Sequence, residues 1–405
     1  MVQDNKILVV CQYYYPEPFR VTDICEELVK RGHEVSVITG EPNYPEGEIY
    51  SGYEKHNHKN EVINGVNVHR CRIIPRKTGV LYRFLNYYSF AISSLAYVLS
   101  GKCKAKDGRP FDIVFVNQLS PVMMAYAGIA YKKKYRVPLV VYCLDLWPES
   151  LLAGGISKGS LIYKAFHIIS KRIYREADRI CVSSQMFSDY MAEEFGIIKS
   201  NVEYLPQYAE DLFDSIKSSQ NESGVYNFTF AGNIGSMQSV DTILKAAETL
   251  LDEPVHFHIV GSGSELDNLI AFAKKHQLSN VTFHGRQPIE RMPEYYEMSD
   301  AMLITLKKDP VISMTLPGKV QSYMAAGKPI IGAINGETNN LIRSSNCGYC
   351  GSAESVNDLV DNIKRFLNDD ILDVKQMELN AMNYYNNNFC KDIVIETLER
   401  ILLEG

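Results

Sequence analysis

The residue types best suited to chemistry lie in one run, Leu316-Pro317-Gly318-Lys319-Val320-Gln321-Ser322-Tyr323-Met324-Ala325-Ala326-Gly327-Lys328-Pro329-Ile330-Ile331. Pro317 and Gly318 open a helix, Lys319 falls in its first turn, and Gly327 closes it. The unpaired N–H groups of a helix start attract anions, and an ammonium beside them suits phosphate. The same pattern also fits an ordinary loop–helix–strand unit, so other segments must decide. Asn233-Ile234-Gly235 form a glycine-bearing loop after an apolar run, and such loops let backbone amides approach an anion closely. Arg286 follows another apolar run and is either a second cation for the same anion or a solvated loop arginine.

Several reactive side chains point elsewhere. Cys347-Gly348-Tyr349-Cys350 is a single Cys-x-x-Cys without a second pair, so neither zinc nor redox chemistry is expected. His56 and His58 lie in a polar loop and should be solvated. His256 and His258 share one strand face, where hydrogen bonding in the core is expected. No Asp-x-Asp follows a strand, so nothing calls for a divalent metal.

The elements that must position these residues alternate. Strands fit Lys6 to Cys11, Glu34 to Thr39, Val66 to Arg72, Ile113 to Asn117, Leu139 to Cys143 and Arg179 to Ser183, with helices at Val21 to Lys30, Pro121 to Lys134 and Leu161 to Glu176. Near Leu205-Pro206 the pattern breaks, and a polar stretch follows from Asp214 to Gly224. A second alternation then begins at Tyr226 to Ala231. It continues through strands Val255 to Val260, Val281 to His284, Ala301 to Thr305 and Pro329 to Ala333. Apolar strands separated by helical patterns imply parallel sheets covered on both faces. The expected class is α/β, with two Rossmann-like parallel-sheet domains at 1–206 and 207–385. A C-terminal helix at 386–405 is expected to pack back on the first.

Composition bounds the function. A chain of 405 residues, 46% hydrophobic, can bury two cores, and its net charge of -6 argues against binding nucleic acid. Nine scattered cysteines, several in apolar stretches, fit buried thiols in a reducing cytoplasm better than a disulfide framework. The N-terminus shows no signal-peptide pattern. Phe84 to Ser100 carries no charge but is short for a membrane span. Leu81, Phe84, Leu85, Tyr88, Ile92, Leu95 and Val98 recur near helical spacing, so the segment reads as an amphipathic helix, either packed in the core or in contact with a membrane.

Three further motifs complete the picture: Gly32-His33-Glu34-Val35, Ala231-Gly232-Asn233-Ile234-Gly235 and Met324-Ala325-Ala326-Gly327-Lys328-Pro329. In this order the chain resembles family 4 of the retaining glycosyltransferases, which have the two-domain GT-B fold with a central cleft. Gln12-Tyr13-Tyr14-Tyr15-Pro16-Glu17, Pro42-Asn43-Tyr44-Pro45-Glu46-Gly47 and Asp145-Leu146-Trp147-Pro148-Glu149-Ser150 look like the branch containing bacterial O-antigen N-acetyl-L-fucosamine transferases. The resemblance implies a nucleotide diphosphate-sugar donor, UDP-linked; by residue chemistry Gly232, Asn233, Gly235, Arg286, Pro317, Gly318 and Lys319 would hold it, and Glu337 is either a hydroxyl acceptor for its sugar or ribose or a helix-cap residue. On the first domain Glu17, Arg20 and Trp147 are the acceptor-side candidates: the indole would offer a flat surface to a sugar, and Arg20 either reaches a donor or acceptor phosphate or forms a salt bridge at the helix start. Asp145, Glu149 and Lys319 are the catalytic candidates, with Asp145 or Glu149 orienting an acceptor hydroxyl unless Asp145 is a structural cap. The chain also departs from the family, which has an Arg and then a Lys where Asn233 and Gln238 stand, and paired glutamates where Met314 and Ser322 stand.

The expected activity is therefore metal-independent sugar transfer with retention, without a cofactor. The expected acceptor is a lipid-linked saccharide of surface polysaccharide assembly, O-antigen or capsule. Arg72, Arg76, Lys77 and Arg83 beside the aromatic helix suit an anionic surface, so the protein is expected in the cytoplasm, peripheral on the inner face of the plasma membrane. A nucleotide-sugar epimerase of the same fold and a non-catalytic nucleotide-sugar-binding protein remain as alternatives.

Overall fold

The computed structural model describes residues 4–77, 79–153, 155–213, 216 and 224–404. The polar stretch expected over Asp214 to Gly224 lies almost entirely outside these residues, as do the side chains of Leu81 and Arg83. The chain divides into two compact units, one of residues 1–205 with 395–405 and the other of residues 206–394.

The first unit holds an eight-stranded sheet built from β1 (Lys6–Val10), β2 (Glu34–Gly40), β3 (Asn60–Ile63), β4 (Val66–Cys71), β5 (Ile113–Gln118), β6 (Leu139–Cys143), β7 (Arg179–Val182) and β8 (Val202–Tyr204). Their order is β3-β4-β2-β1-β5-β6-β7-β8. Central strands such as Ile-Val-Phe-Val in β5 and Leu-Val-Val-Tyr-Cys in β6 are buried along their whole length, as strands covered on both faces must be. All pairings are parallel except β3–β4, an antiparallel edge hairpin. The expected all-parallel sheet is corrected at that edge. Asn64 and Gly65, both at positive φ, turn the hairpin, and Asn-Gly is the pair that such a turn favours.

The second unit holds β9 (Tyr226–Ala231), β10 (Val255–Val260), β11 (Val281–Gly285), β12 (Ala301–Thr305), β13 (Ile330–Ala333) and β14 (Gly348–Gly351), in the order β11-β10-β9-β12-β13-β14. All its pairings are parallel. In each sheet the chain builds one side first and then crosses to the other, so the order reverses between β1 and β5 and between β9 and β12. Ligands of open α/β sheets bind at the carboxyl ends of the strands beside such a reversal.

The helix Val80–Leu99 separates two apolar faces. Tyr87, Phe90, Ala91, Ser94 and Val98 are buried, whereas Tyr82, Leu85, Tyr88, Ile92 and Leu99 are exposed. Phe84 stacks on Phe166 at 6.4 Å. The outward face is therefore carried by Tyr82, Leu85, Tyr88, Ile92 and Leu99, while Phe84 and Val98 belong to packing. Among the described residues no helix is long and apolar enough to cross a membrane.

The last helix, Lys391–Glu404, ends in the first unit. Ile395, Leu398, Ile401 and Leu402 are buried there, and Glu399 accepts from Arg31 Nη1 at 2.9 Å and pairs with His33 Nε2 at 2.9 Å. Leu398→Ala should cost about 2–5 kcal/mol, the usual range for a fully buried leucine. Denaturant unfolding followed in the first unit checks this; an unchanged midpoint would mean that the C-terminal turns contribute nothing to that core.

Candidate functional site

In the second unit the helix Gly318–Ala325 is tied to the end of β9 by Tyr323, whose hydroxyl accepts from Ala231 N at 3.1 Å and donates to Ala231 O at 3.2 Å. This contact aims the first turn of the helix at the β9/β12 reversal. Lys319 Nζ lies 4.0 Å above the centre of the Phe230 ring and donates to Gln238 Oε1 at 2.7 Å. It also lies under Gly232, where an added Cβ would meet Nζ at 3.0 Å. Gly232 and Asn233 themselves are exposed. Among the described residues no carboxylate pairs with Lys319, and burial lowers its ammonium to about 7. A half-buried cation in this state has lost part of its water without gaining a counter-charge, so an incoming anion supplies what it lacks.

The glycines that permit this arrangement extend beyond the expected set. An added Cβ at Gly261 would fall 1.8 Å from Gly232 O, and one at Gly263 would fall 2.3 Å from Ile234 O. Two backbone loops thus lie against each other, joined by Gly232 N to Val260 O and Ile234 N to Ser262 O, both 2.9 Å. Gly261-Ser262-Gly263 directly after a strand was the available signal.

The other donor-side candidates separate. Pro317 and Gly318 stand at the start of the same helix, with Gly318 exposed. Gly235 caps the short turn Ser236–Gln238 that carries Gln238 to Lys319. Arg286 is exposed after β11, two strands away from β9, and forms no hydrogen bond or ion pair among the described residues. Glu337 is buried in the first turn of Glu337–Ser345, near Tyr384. Met314 and Ser322 offer no carboxylate, and Ser322 is buried.

On the first unit the expected acceptor residues prove largely architectural. Trp147 is 2% exposed, packs edge-on against Phe166, and donates from Nε1 to Ser120 Oγ at 2.7 Å. Its expected role as an open sugar platform is corrected: the indole is a wedge in the core. Glu149, also 2% exposed, accepts from the hydroxyls of Tyr163 at 2.7 Å and Tyr190 at 2.6 Å, so it is not presented to an acceptor proton as expected. Asp145 accepts from Ser120 Oγ and, at 2.7 Å, from Ser150 Oγ, and burial raises its carboxyl despite both bonds. Glu17 is buried and accepts from Asn43 N at 2.9 Å and Tyr44 N at 2.7 Å. Burial raises it to about 7, and it fixes the loop after β2. Arg20 is half-buried at the start of the helix Val21–Lys30, close enough to Tyr142 to act on it electrostatically.

Neither histidines nor cysteines add a metal centre. His258 Nδ1 meets His284 Nε2 and its Nε2 meets Asn227 Oδ1, both at 3.0 Å, while Cys347 and Cys350 are buried. Among the described residues no cluster of metal-ligating side chains occurs.

With this geometry in place, comparison with known proteins is informative. Residues 19–207 match the glycosyl transferase 4-like domain and residues 213–386 match glycosyl transferases group 1. The chain belongs to the family 4 glycosyltransferases and is a transferase of the GT-B fold. It is 26% identical over 340 residues to the Escherichia coli (strain K12) protein described as "Putative colanic acid biosynthesis glycosyl transferase WcaI", covering 80% of this chain and 81% of that one. Among solved structures, Anabaena HepE in complex with UDP and glucose superposes with a TM-score of 0.70 at 14% identity, over 99% of this chain and 100% of that one. Sucrose-phosphate synthase from Thermosynechococcus elongatus gives 0.74 at 14% identity, over 99% of each.

The state of Lys319 predicts an unusual stability profile. Its folded value lies below that of the unfolded chain, so the cost of keeping it charged is full below about pH 7 and fades as pH rises toward 10.5. Lys319→Met, which keeps the packing on Phe230, should raise the melting temperature at pH 6. Each kcal/mol of relieved desolvation is worth about 2–4 °C in a domain of this size. The gain should shrink toward pH 10, and a melting temperature lower than wild type at pH 6 would show that the ammonium is already well compensated.

Proposed function

We propose that this protein transfers a sugar from a nucleotide diphosphate-sugar, UDP-linked, to a saccharide acceptor in surface polysaccharide assembly, with retention of anomeric configuration. The observation that carries the reading is Lys319: an ammonium without a counter-charge, held at the β9/β12 reversal against the exposed Gly232 loop. Negative charge grows on the diphosphate as the glycosidic bond breaks, and preorganised donors aimed at that charge lower the barrier. Lys319 and the amide of Gly318 at the helix start supply them, which makes a divalent metal unnecessary. The relatives' names support a polysaccharide pathway and the complexes of HepE support UDP. In a retaining reaction without a covalent intermediate, the departing phosphate takes the acceptor proton. Asp145 then acts by holding Ser120 and Ser150, and with them the two loops that follow β5 and β6.

The test is thermal shift with UDP, followed by turnover of UDP-sugars with lipid-linked saccharides. UDP should raise the melting temperature of the wild type and not of Lys319→Ala, and turnover should fall at least a hundredfold in that variant. Activity should persist in excess chelator. Wild-type kinetics in Lys319→Ala would refute the assignment, and loss of activity in chelator restored by magnesium would refute metal independence.

The acceptor is, on this reading, lipid-linked, and the protein works against the inner face of the plasma membrane. Tyr82, Leu85, Tyr88, Ile92 and Leu99 form the exposed apolar stripe that supports it. Ile92→Asp combined with Tyr88→Asp should release the protein from phosphatidylglycerol vesicles, lowering the bound fraction at least tenfold in a sedimentation assay. Unchanged binding would remove the membrane contact.

A further inference from the structure

The loop after β1 and the loop after β2 are fastened to each other by one carboxyl group. Glu17 is 2% exposed, and its Oε1 accepts from Asn43 N at 2.9 Å and from Tyr44 N at 2.7 Å. Its other oxygen, Oε2, is buried and has no hydrogen-bond partner among the described residues. The backbone of Glu17 is held as well: its N–H donates to Tyr14 O at 3.0 Å, and its carbonyl accepts from Phe19 N at 2.8 Å. Asn43 passes the hold onward. It is fully buried, and its Oδ1 accepts from Asn86 Nδ2 at 3.3 Å, while Asn86 Oδ1 accepts from Gln12 Nε2 at 2.7 Å. Both loops leave the carboxyl ends of their strands, the side on which open α/β sheets receive ligands.

A buried carboxylate with one bare oxygen is costly to keep ionised, and the bare oxygen is where a proton can go. Burial pushes Glu17 up to about 7, although the amides of Asn43, Tyr44 and Tyr14 and the charge of Arg70 all act the other way. Arg70, from β4, is fully buried and bonded to Glu61 at 2.6 Å. Cys11 at the end of β1 and Tyr13 in the same loop also face Glu17. Burial raises both, Cys11 to about 12, so they stay neutral. The loop after β2 holds one more titratable pair, His56 Nδ1 with Glu41 Oε1 at 3.0 Å.

Hydrogen bonds to a carboxylate are roughly twice as strong as those to a neutral acceptor. We infer that Glu17 is a positioning residue with two settings: as a carboxylate it clamps Asn43 and Tyr44 to the loop after β1, and on taking a proton it relaxes that clamp. Its consequence for turnover rests on the transfer reaction proposed above, with the acceptor on the first unit; the clamp itself does not. Stability moves in the opposite sense. The folded value of Glu17 lies above that of the unfolded chain, so its contribution is full below 4.5 and is lost as pH rises through about 7. The clamp therefore tightens over the range in which the fold as a whole weakens, a combination that an ordinary structural contact does not produce.

The experiment is hydrogen exchange of the Asn43 and Tyr44 amides in the full chain, at about pH 5.5 and about pH 8.5, corrected for the intrinsic pH dependence of exchange. Protection in wild type should be about tenfold greater at the higher pH. It should be equal at the two in Glu17→Gln, which keeps the shape and cannot ionise, and His56→Gln should keep the wild-type response. The melting temperature of Glu17→Gln should rise relative to wild type between the same two conditions. In wild type, kcat/KM for the acceptor should fall about threefold toward the lower pH, and the inflection should be absent in Glu17→Gln, with the thermal response to UDP kept by both. Equal wild-type protection at the two conditions would overturn the inference, as would a response that survives in Glu17→Gln or disappears in His56→Gln. Wild type and His56→Gln decide the matter even if Glu17→Gln folds poorly. A clamp that responds as expected while acceptor kinetics do not would instead strike the acceptor-side reading of the first unit, so the two failures are distinguishable.

Discussion

The second unit is organised around a charge kept short of partners. Lys319 is held by an amide oxygen and an aromatic face, which orient an ammonium but compensate it weakly. Every feature nearby serves that placement. Tyr323 anchors the helix to the end of β9, Phe230 lies at that end, and Gly232 has no side chain to obstruct Nζ. A carboxylate beside Lys319 would make a more stable fold and a worse phosphate site. Retaining a half-buried, poorly matched cation is a pattern expected where function and stability pull in opposite directions.

The departures from the family pattern acquire a spatial meaning. The notable one is at Gln238, where the resemblance led to the expectation of a lysine, and Gln238 Oε1 is the very atom that Lys319 Nζ reaches. Gln238 thus orients, from 81 positions away, the cation that stands at this place. Arg286 is not its partner in this; it stands exposed beyond β10, at the far edge of the sheet.

Much of the architecture was readable from local pattern. Continuous apolar runs such as Val-Val-Tyr-Cys mark strands covered on both faces, and Gly327 before Lys328-Pro329 marks a helix end without ambiguity. Short or polar strands were not readable: β3 is Asn-Glu-Val-Ile at an edge, and β14 has glycine at both ends. The turn Asn64-Gly65 did carry a usable hairpin signal. At the site, residue type singled out Lys319 and Arg286 alike, though only Lys319 stands at the β9/β12 reversal, and it did not disclose the burial of Trp147 and Glu149. A tryptophan beside two acids reads equally well as a platform or a wedge. Only the packing of Phe166 and the hydroxyls of Tyr163 and Tyr190 distinguishes them, and those lie 14 to 41 positions away.

The pairing of Glu399 with Arg31 and His33 bears on how the molecule is made. These groups are 366 and more positions apart, so the first unit lacks four buried side chains until synthesis has passed through the whole of the second. Domains emerging from the ribosome usually fold in order from the N-terminus. Here the leading half can reach only an unfinished state on the ribosome, with an apolar groove awaiting the last turns of the chain. Removing residues 395–404 will therefore disturb the half of the protein made first.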